Sequence, residues 1–132
     1  MINPFKVGDI KSYKKVVLAS ETAAFEYDDV HPFYSTFALA RDAEWSSRLF
    51  VLEMKEADEE GIGTFVNVKH LAPALVGEEV VFEAILAEVE KNNIICNITA
   101  RVKNRIIAEA QTGQKIIKRT KLDELHKSLI KE

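Results

Sequence analysis

Asn93-Ile94-Ile95-Cys96-Asn97-Ile98-Thr99-Ala100-Arg101-Val102-Lys103 sets Ile94, Cys96, Ile98, Ala100 and Val102 against Ile95, Asn97, Thr99 and Arg101. A pleated strand sends alternate side chains to opposite faces, so this period predicts a strand with one face on a core. The preceding stretch, Glu78 to Glu90, is of the same kind, with Val80, Phe82, Ala84 and Leu86 alternating with Val81, Glu83, Ile85 and Ala87. Lys91-Asn92-Asn93 predicts a tight turn between the two. Asn104 predicts the next turn, and Arg105 to Lys118 the last strand. Upstream, from Gly63, residues Val66, Val68 and His70 share one face of a further strand, and Phe65, Asn67 and Lys69 the other. Four antiparallel strands in succession follow.

The chain before Gly63 changes period. From Thr36 to about Glu60, Ala38, Leu39, Ala43, Trp45, Leu49, Phe50, Leu52 and Met54 recur at three- and four-residue spacings, and Gly61 follows an acidic end. That pattern predicts a helix, capped by Ser35 or Thr36. Between Ala43 and Met54 it is apolar over more than half its circumference, so a sheet must wrap around it. Gly8 to Ala19 reads as a first strand. Ser20 to Tyr34, with Asp28-Asp29 and His31-Pro32, has no clean period and is long for a connection, which marks it as a lid or binding loop. Leu122, Leu125, Leu129 and Ile130 give residues 119–132 helical spacing in a short charged tail. The order predicts one α+β domain over residues 1–132, a curved antiparallel sheet wrapped around one central helix. An open sheet edge calls for cover, so a homodimer or higher homo-oligomer is expected.

Composition narrows the function classes. The 132 residues are 47% hydrophobic, and 18 basic and 21 acidic residues are mixed along the chain for a net charge of −3. No basic stripe tracks phosphates, which argues against nucleic acid as a partner. No apolar run is long enough to span a bilayer, and Met1-Ile2-Asn3-Pro4-Phe5-Lys6 lacks the regions of a signal peptide, so no membrane partner and a cytoplasmic location are expected. Cys96 is the only cysteine and alternates with Ile94 and Ile98, as a small core residue does. His31 and His126 have no metal-type spacing with each other or with His70, so no metal site is assigned.

Three residues carry chemistry. His70 lies on the Val66 and Val68 side of its strand, the side turned to the helix, where an imidazole is either a hydrogen-bonded core residue or a working base. Glu44 sits early in the helix beside Ala43 and Trp45, where partial desolvation would suit a carboxylate to act as base, although a solvated charge near a helix start is also common. Thr36, eight residues earlier, can cap the helix or face the same pocket. Gly63-Thr64 would let a ligand approach the backbone closely, or simply make a turn.

On these residues the chain resembles the hotdog-fold thioesterases related to fluoroacetyl-CoA thioesterase. The similarity runs from Ser35 through Glu44-Trp45, across Gly63-Thr64 to Val68-Lys69-His70-Leu71-Ala72-Pro73 and Gly77, and more weakly to about Ile117. The separations from Thr36 to Glu44 and from Glu44 to His70 match the family's catalytic threonine, glutamate and histidine. The resemblance implies the hotdog fold and hydrolysis of a small or medium acyl-CoA thioester in a site shared between subunits, with CoA as part of the substrate and no cofactor. It makes Glu44 the nucleophile or the base that activates water, His70 a general base and acid, and Thr36 the group that orients the carboxylate or attacks the carbonyl. Gly63, with Thr64 and Phe37, would meet the substrate. Thr112 and Gln114 stand where relatives often have a His-x-Arg pair, and the loop before Ser35 differs, so fluoroacetyl specificity does not carry over. The alternative is a non-catalytic acyl-CoA-binding module; the Asp and His spacing of hydratases on this fold is absent.

Overall fold

Lys91 and Lys103, with φ of 55° and 52°, occupy the left-handed region and reverse the chain between its longest alternating segments. A computed structural model describes residues 1–25 and 28–131. In chain order the elements are β1 (Ile10–Val16), a 3₁₀ turn at Ala19–Glu21, β2 (Thr22–Phe25), β3 (Asp28–Tyr34), α1 (Thr36–Met54), β4 (Glu59–His70), β5 (Glu79–Glu90), β6 (Asn93–Val102), β7 (Arg105–Lys118) and α2 (Arg119–Ile130).

Five strands form one antiparallel sheet in the order β1-β5-β6-β7-β4, and β2 pairs with β3 as a separate hairpin. The register shifts between Gly63 and Phe65, between Leu86 and Glu88, and between Ala100 and Arg101. Each bulge bends its strand, and together they curve the sheet around α1. The helix buries Leu39, Ala43, Phe50, Val51 and Met54 against the concave face, where Phe82, Leu86, Ile94, Cys96 and Ile98 meet it. Burial of this apolar surface is the main stabilising term of the fold. The alternation expected of β5 and β6 is the one observed: Val80, Phe82, Ala84, Leu86, Ile94, Cys96, Ile98, Ala100 and Val102 are all buried. Burial pushes the Cys96 thiol up to about 12, so it stays protonated in the core.

Two sequence expectations are corrected. The helix ends at Met54, with Lys55 already extended, and β4 begins at Glu59 instead of near Gly63. The acidic end is broken up by ionic partners. Glu59 is buried against the Met1 amine at 2.6 Å and accepts the Glu56 N–H at 3.0 Å, while Glu60 joins Arg48 at 2.8 Å and Arg119 at 3.1 Å. Likewise Ser20–Tyr34 is not irregular throughout, because the β2–β3 hairpin lies within it.

One long side of the helix is left open. β4 is an edge strand, and beside it Phe37, Trp45, Phe65 and Val66 are exposed. The α2 helix buries no side chain, and no helix of the described residues is long and apolar enough to cross a membrane.

Candidate active site

Ser35 caps α1, its hydroxyl accepting the Ala38 N–H at 3.0 Å. That leaves the hydroxyl of Thr36, the first helical residue, free for other work. Thr36 Oγ1 lies 3.0 Å from Nδ1 of His70, the last residue of β4. His70 pairs with Ala108 across the sheet, and the chain beyond is held by Leu71 and Ala72 N–H groups donating to the Ile107 carbonyl at 2.8 and 3.2 Å. The imidazole is half-buried, with Nε2 shielded from solvent. Burial lowers its pKa from the ordinary 6.5; the Ala72 backbone opposes that shift, and nearby His31 adds to it. A neutral ring with a hydroxyl at Nδ1 can take a proton from that hydroxyl or from a water beside it. The pair opens onto a cleft of about 340 Å³ bordered by His31, Phe33, Tyr34 and Pro73.

Glu44 follows Thr36 by eight residues on the same helix, roughly 12 Å along its axis at 1.5 Å per residue. Its carboxylate lies against Gly63: a Cβ at that glycine would come within 2.8 Å of Glu44 Oε1. Gly63 is therefore the residue whose missing side chain lets the acid reach the strand. Glu44 lines a second cavity of about 430 Å³ with Phe37, Ala40, Trp45, Arg48 and Val66. Thus within one chain the three catalytic candidates and Gly63 form two separated pairs, Thr36 with His70 and Glu44 with Gly63. Thr64 falls in the β4 bulge with its hydroxyl turned to Gly113, and Phe37 is 82% exposed next to Thr36.

Behind Thr36 a third cavity of about 540 Å³ lies between the β2–β3 hairpin and the start of α1, lined by Ala23, Phe25, Val30, Phe37 and Ala38. The base of the hairpin is fixed by a buried ionic network that residue spacing did not reveal. The Tyr34 hydroxyl donates to Asp42, Lys15 and Arg41 both reach Glu21, and Lys15 lies 3.1 Å from Asp42. Tyr34 and Glu21 are almost fully buried. The pKa of Tyr34 is raised by burial and by the Asp42 carboxylate; burial raises that of Glu21, but its bonds to Lys15, Leu18 and Arg41 outweigh this and lower it. A charged pair, Arg41-Asp42, inside an apolar helix was the available signal.

Thr112 and Gln114 both face α1 and are buried. Gln114 Nε2 donates to Ser47 Oγ at 2.8 Å, and Ser47 donates to the Glu44 carbonyl at 2.8 Å, which pins the helical turn carrying the acid to β7.

The family described as Fluoroacetyl-CoA-specific thioesterase matches residues 17–120. No curated protein matches the chain. A crystal structure of a hypothetical protein from Thermus thermophilus, a thioesterase superfamily member, is 30% identical with a TM-score of 0.93, covering 98% of this chain and 96% of that one. The fluoroacetyl-CoA thioesterase FlK is 20% identical with a TM-score of 0.86, covering 94% and 96%. A mutant of FlK in complex with fluoroacetate and CoA is 22% identical with a TM-score of 0.81, covering 89% and 99%. The curved sheet around one helix is accordingly a hotdog fold.

Proposed function

Because the chain belongs to the fluoroacetyl-CoA-specific thioesterase family and is thereby a thioester hydrolase, we propose that it cleaves a small or medium acyl-CoA to the free acid and CoA in a homodimer whose sites are each built from two subunits. The observation that carries this reading is the splitting of the candidate residues into two complementary pairs, Thr36 with His70 and Glu44 with Gly63.

A two-fold axis resolves the split. β4 presents an open edge, and antiparallel pairing with a second β4 about a point near Val66, midway between Gly63 and His70, sets His70 opposite the partner's Gly63. The same axis passes the two α1 helices near Ala40 and brings Thr36 toward the partner's Glu44. It also covers Phe37, Trp45 and Val66, whose exposure is otherwise unfavourable.

In such a site the Glu44 carboxylate holds water or attacks the carbonyl carbon, His70 takes and returns a proton, and Thr36 orients the acid or the ester. The Thr36 and Phe37 N–H groups at the helix start lack intrahelical acceptors and suit a developing oxyanion. The cavity behind Thr36 is of a size and polarity for a short or medium acyl group. A thiolate leaves readily, so the reaction needs neither metal nor cofactor.

The test mixes subunits. Glu44→Ala and His70→Ala proteins should each be inactive toward acyl-CoA, and after subunit exchange their mixture should recover roughly a quarter of wild-type turnover, since half the dimers then hold one complete site. Activity in either variant alone, or none in the mixture, would overturn the shared site. Tight acyl-CoA binding by the wild type without thiol release would overturn hydrolysis itself and leave a binding module.

A further inference from the structure

His31 brings a second imidazole to the cleft of Thr36 and His70. It lines the same space of about 340 Å³ and also the wall of the apolar cavity behind Thr36. Its Nδ1 accepts the Phe33 N–H at 3.2 Å, and its ring packs on Phe33 with centroids 5.5 Å apart. With Nδ1 committed as acceptor, a neutral His31 carries its hydrogen on Nε2, and that donor is the ring atom left for the cleft. The other titratable and charged groups that border the two spaces are His70, Tyr34, Glu21 and Arg41, and the last two are paired with each other.

Resting on the thioesterase reading, we propose that His31 is a further catalytic residue: its Nε2–H hydrogen-bonds the thioester sulfur and stabilises the thiolate as it departs. Attack by a water held by Glu44 forms the new C–O bond while one of its protons passes to His70. The C–S bond then breaks with its electron pair leaving on sulfur, which departs in a hydrogen bond with His31. Water supplies the oxygen of the acid, and the proton held by His70 returns to solvent or to the thiolate, so thioester and water give carboxylic acid and thiol. The helix-start N–H groups serve the carbonyl oxygen from α1, and His31 serves sulfur from the hairpin. The two charges that develop therefore have separate donors.

His31→Phe keeps the ring packing on Phe33 and removes the donor, and His31→Gln keeps an N–H at similar reach. Turnover is measured with an acyl-CoA and with the matching S-aryl thioester, whose thiolate is more stable and needs less help. His31→Phe should slow the acyl-CoA reaction about tenfold, the worth of one hydrogen bond to a charged group, leave the aryl reaction nearly unchanged, and be largely rescued by His31→Gln. Equal losses on both esters, or no loss on the acyl-CoA, would overturn the assignment. If the wild type itself releases no thiol from either ester, the hydrolase reading falls and this role with it. An active wild type with an unaffected His31→Phe variant removes only the role of His31. His31 is exposed, so unchanged circular dichroism verifies that each variant is folded.

Discussion

Thr36 Oγ1 and His70 Nδ1 stand 3.0 Å apart across thirty-four residues, joining the first turn of the central helix to the last residue of the edge strand. If the hydroxyl works through this contact, Thr36→Val should lower kcat on an acyl-CoA by about 10²-fold or more, with Thr36→Ser retaining most of it. Neither change touches the core, so thermal unfolding should move little. Equal activity in the valine variant would exclude the hydroxyl from the reaction.

Gly63 is held to glycine by the acid lying over it. In Gly63→Ala the new methyl carbon would sit 2.8 Å from Glu44 Oε1, closer than real contacts allow, so the carboxylate must move. Turnover should fall about 10-fold to 100-fold, as a displacement of the order of 1 Å costs at a reacting centre. A crystal structure of the variant should show Glu44 displaced; an unmoved carboxylate with full activity would contradict the assignment.

The pH dependence follows from burial of His70, which places its folded pKa below 6.5. If His70 is the base, it is therefore intact above 6.5, and kcat/KM should decline on an acid limb lying below that value. The sign for stability is the same: as pH falls, the unfolded chain binds the proton before the folded one does, so this residue makes the fold progressively less stable below 6.5. The wild-type rate profile, and Tm profiles of wild type and His70→Gln, from about pH 4.5 to 7.5 check both. An acid limb centred above 6.5 would refute the burial argument.

The ionic network under the hairpin should be costly to cut. Tyr34→Phe removes one buried hydrogen bond to Asp42 and should destabilise by about 1–3 kcal/mol. Asp42→Asn removes the second carboxylate from Lys15, which keeps Glu21, while Arg41 is more than half exposed, for about 1–3 kcal/mol. Denaturant unfolding measures both, and losses under about 0.5 kcal/mol would show that water already reaches these groups.

Val66→Arg places a charge at the midpoint of the open β4 edge. The variant should sediment as a monomer and lose turnover while keeping its far-ultraviolet circular dichroism. A monomeric wild type, or an active monomeric variant, would refute the two-subunit site.

The sequence displayed the sheet and helix best where one face alone is buried. The period of Val80 to Leu86 and of Ile94 to Val102 survives in the structure because each of those residues meets only its own side of the sheet. The end of the helix was hidden, because Glu53 to Glu60 suits a helix locally and the partners that decide otherwise, the Met1 amine and Arg119, lie far away in sequence. The β2–β3 hairpin was hidden for a related reason: Asp28, Asp29 and Pro32 are poor strand formers, and tertiary anchoring overrides them. Thr36 and His70 could be singled out by residue type and by resemblance. Local periodicity carries no trace of their meeting, nor of His31 beside them.

The hairpin over the cleft is tied down at its root. Ser35 N–H donates to the Glu21 carbonyl at 2.8 Å, Tyr34 N–H to the Ala74 carbonyl at 2.9 Å, and Arg41 reaches back to Glu21. Its Phe25 and Val30 side chains, by contrast, remain exposed and face the apolar cavity. Phe25 and Val30 take no part in those moorings, so under the proposed function their exchange would retailor the fatty end of the substrate while the hydroxyl and imidazole beneath stay in place.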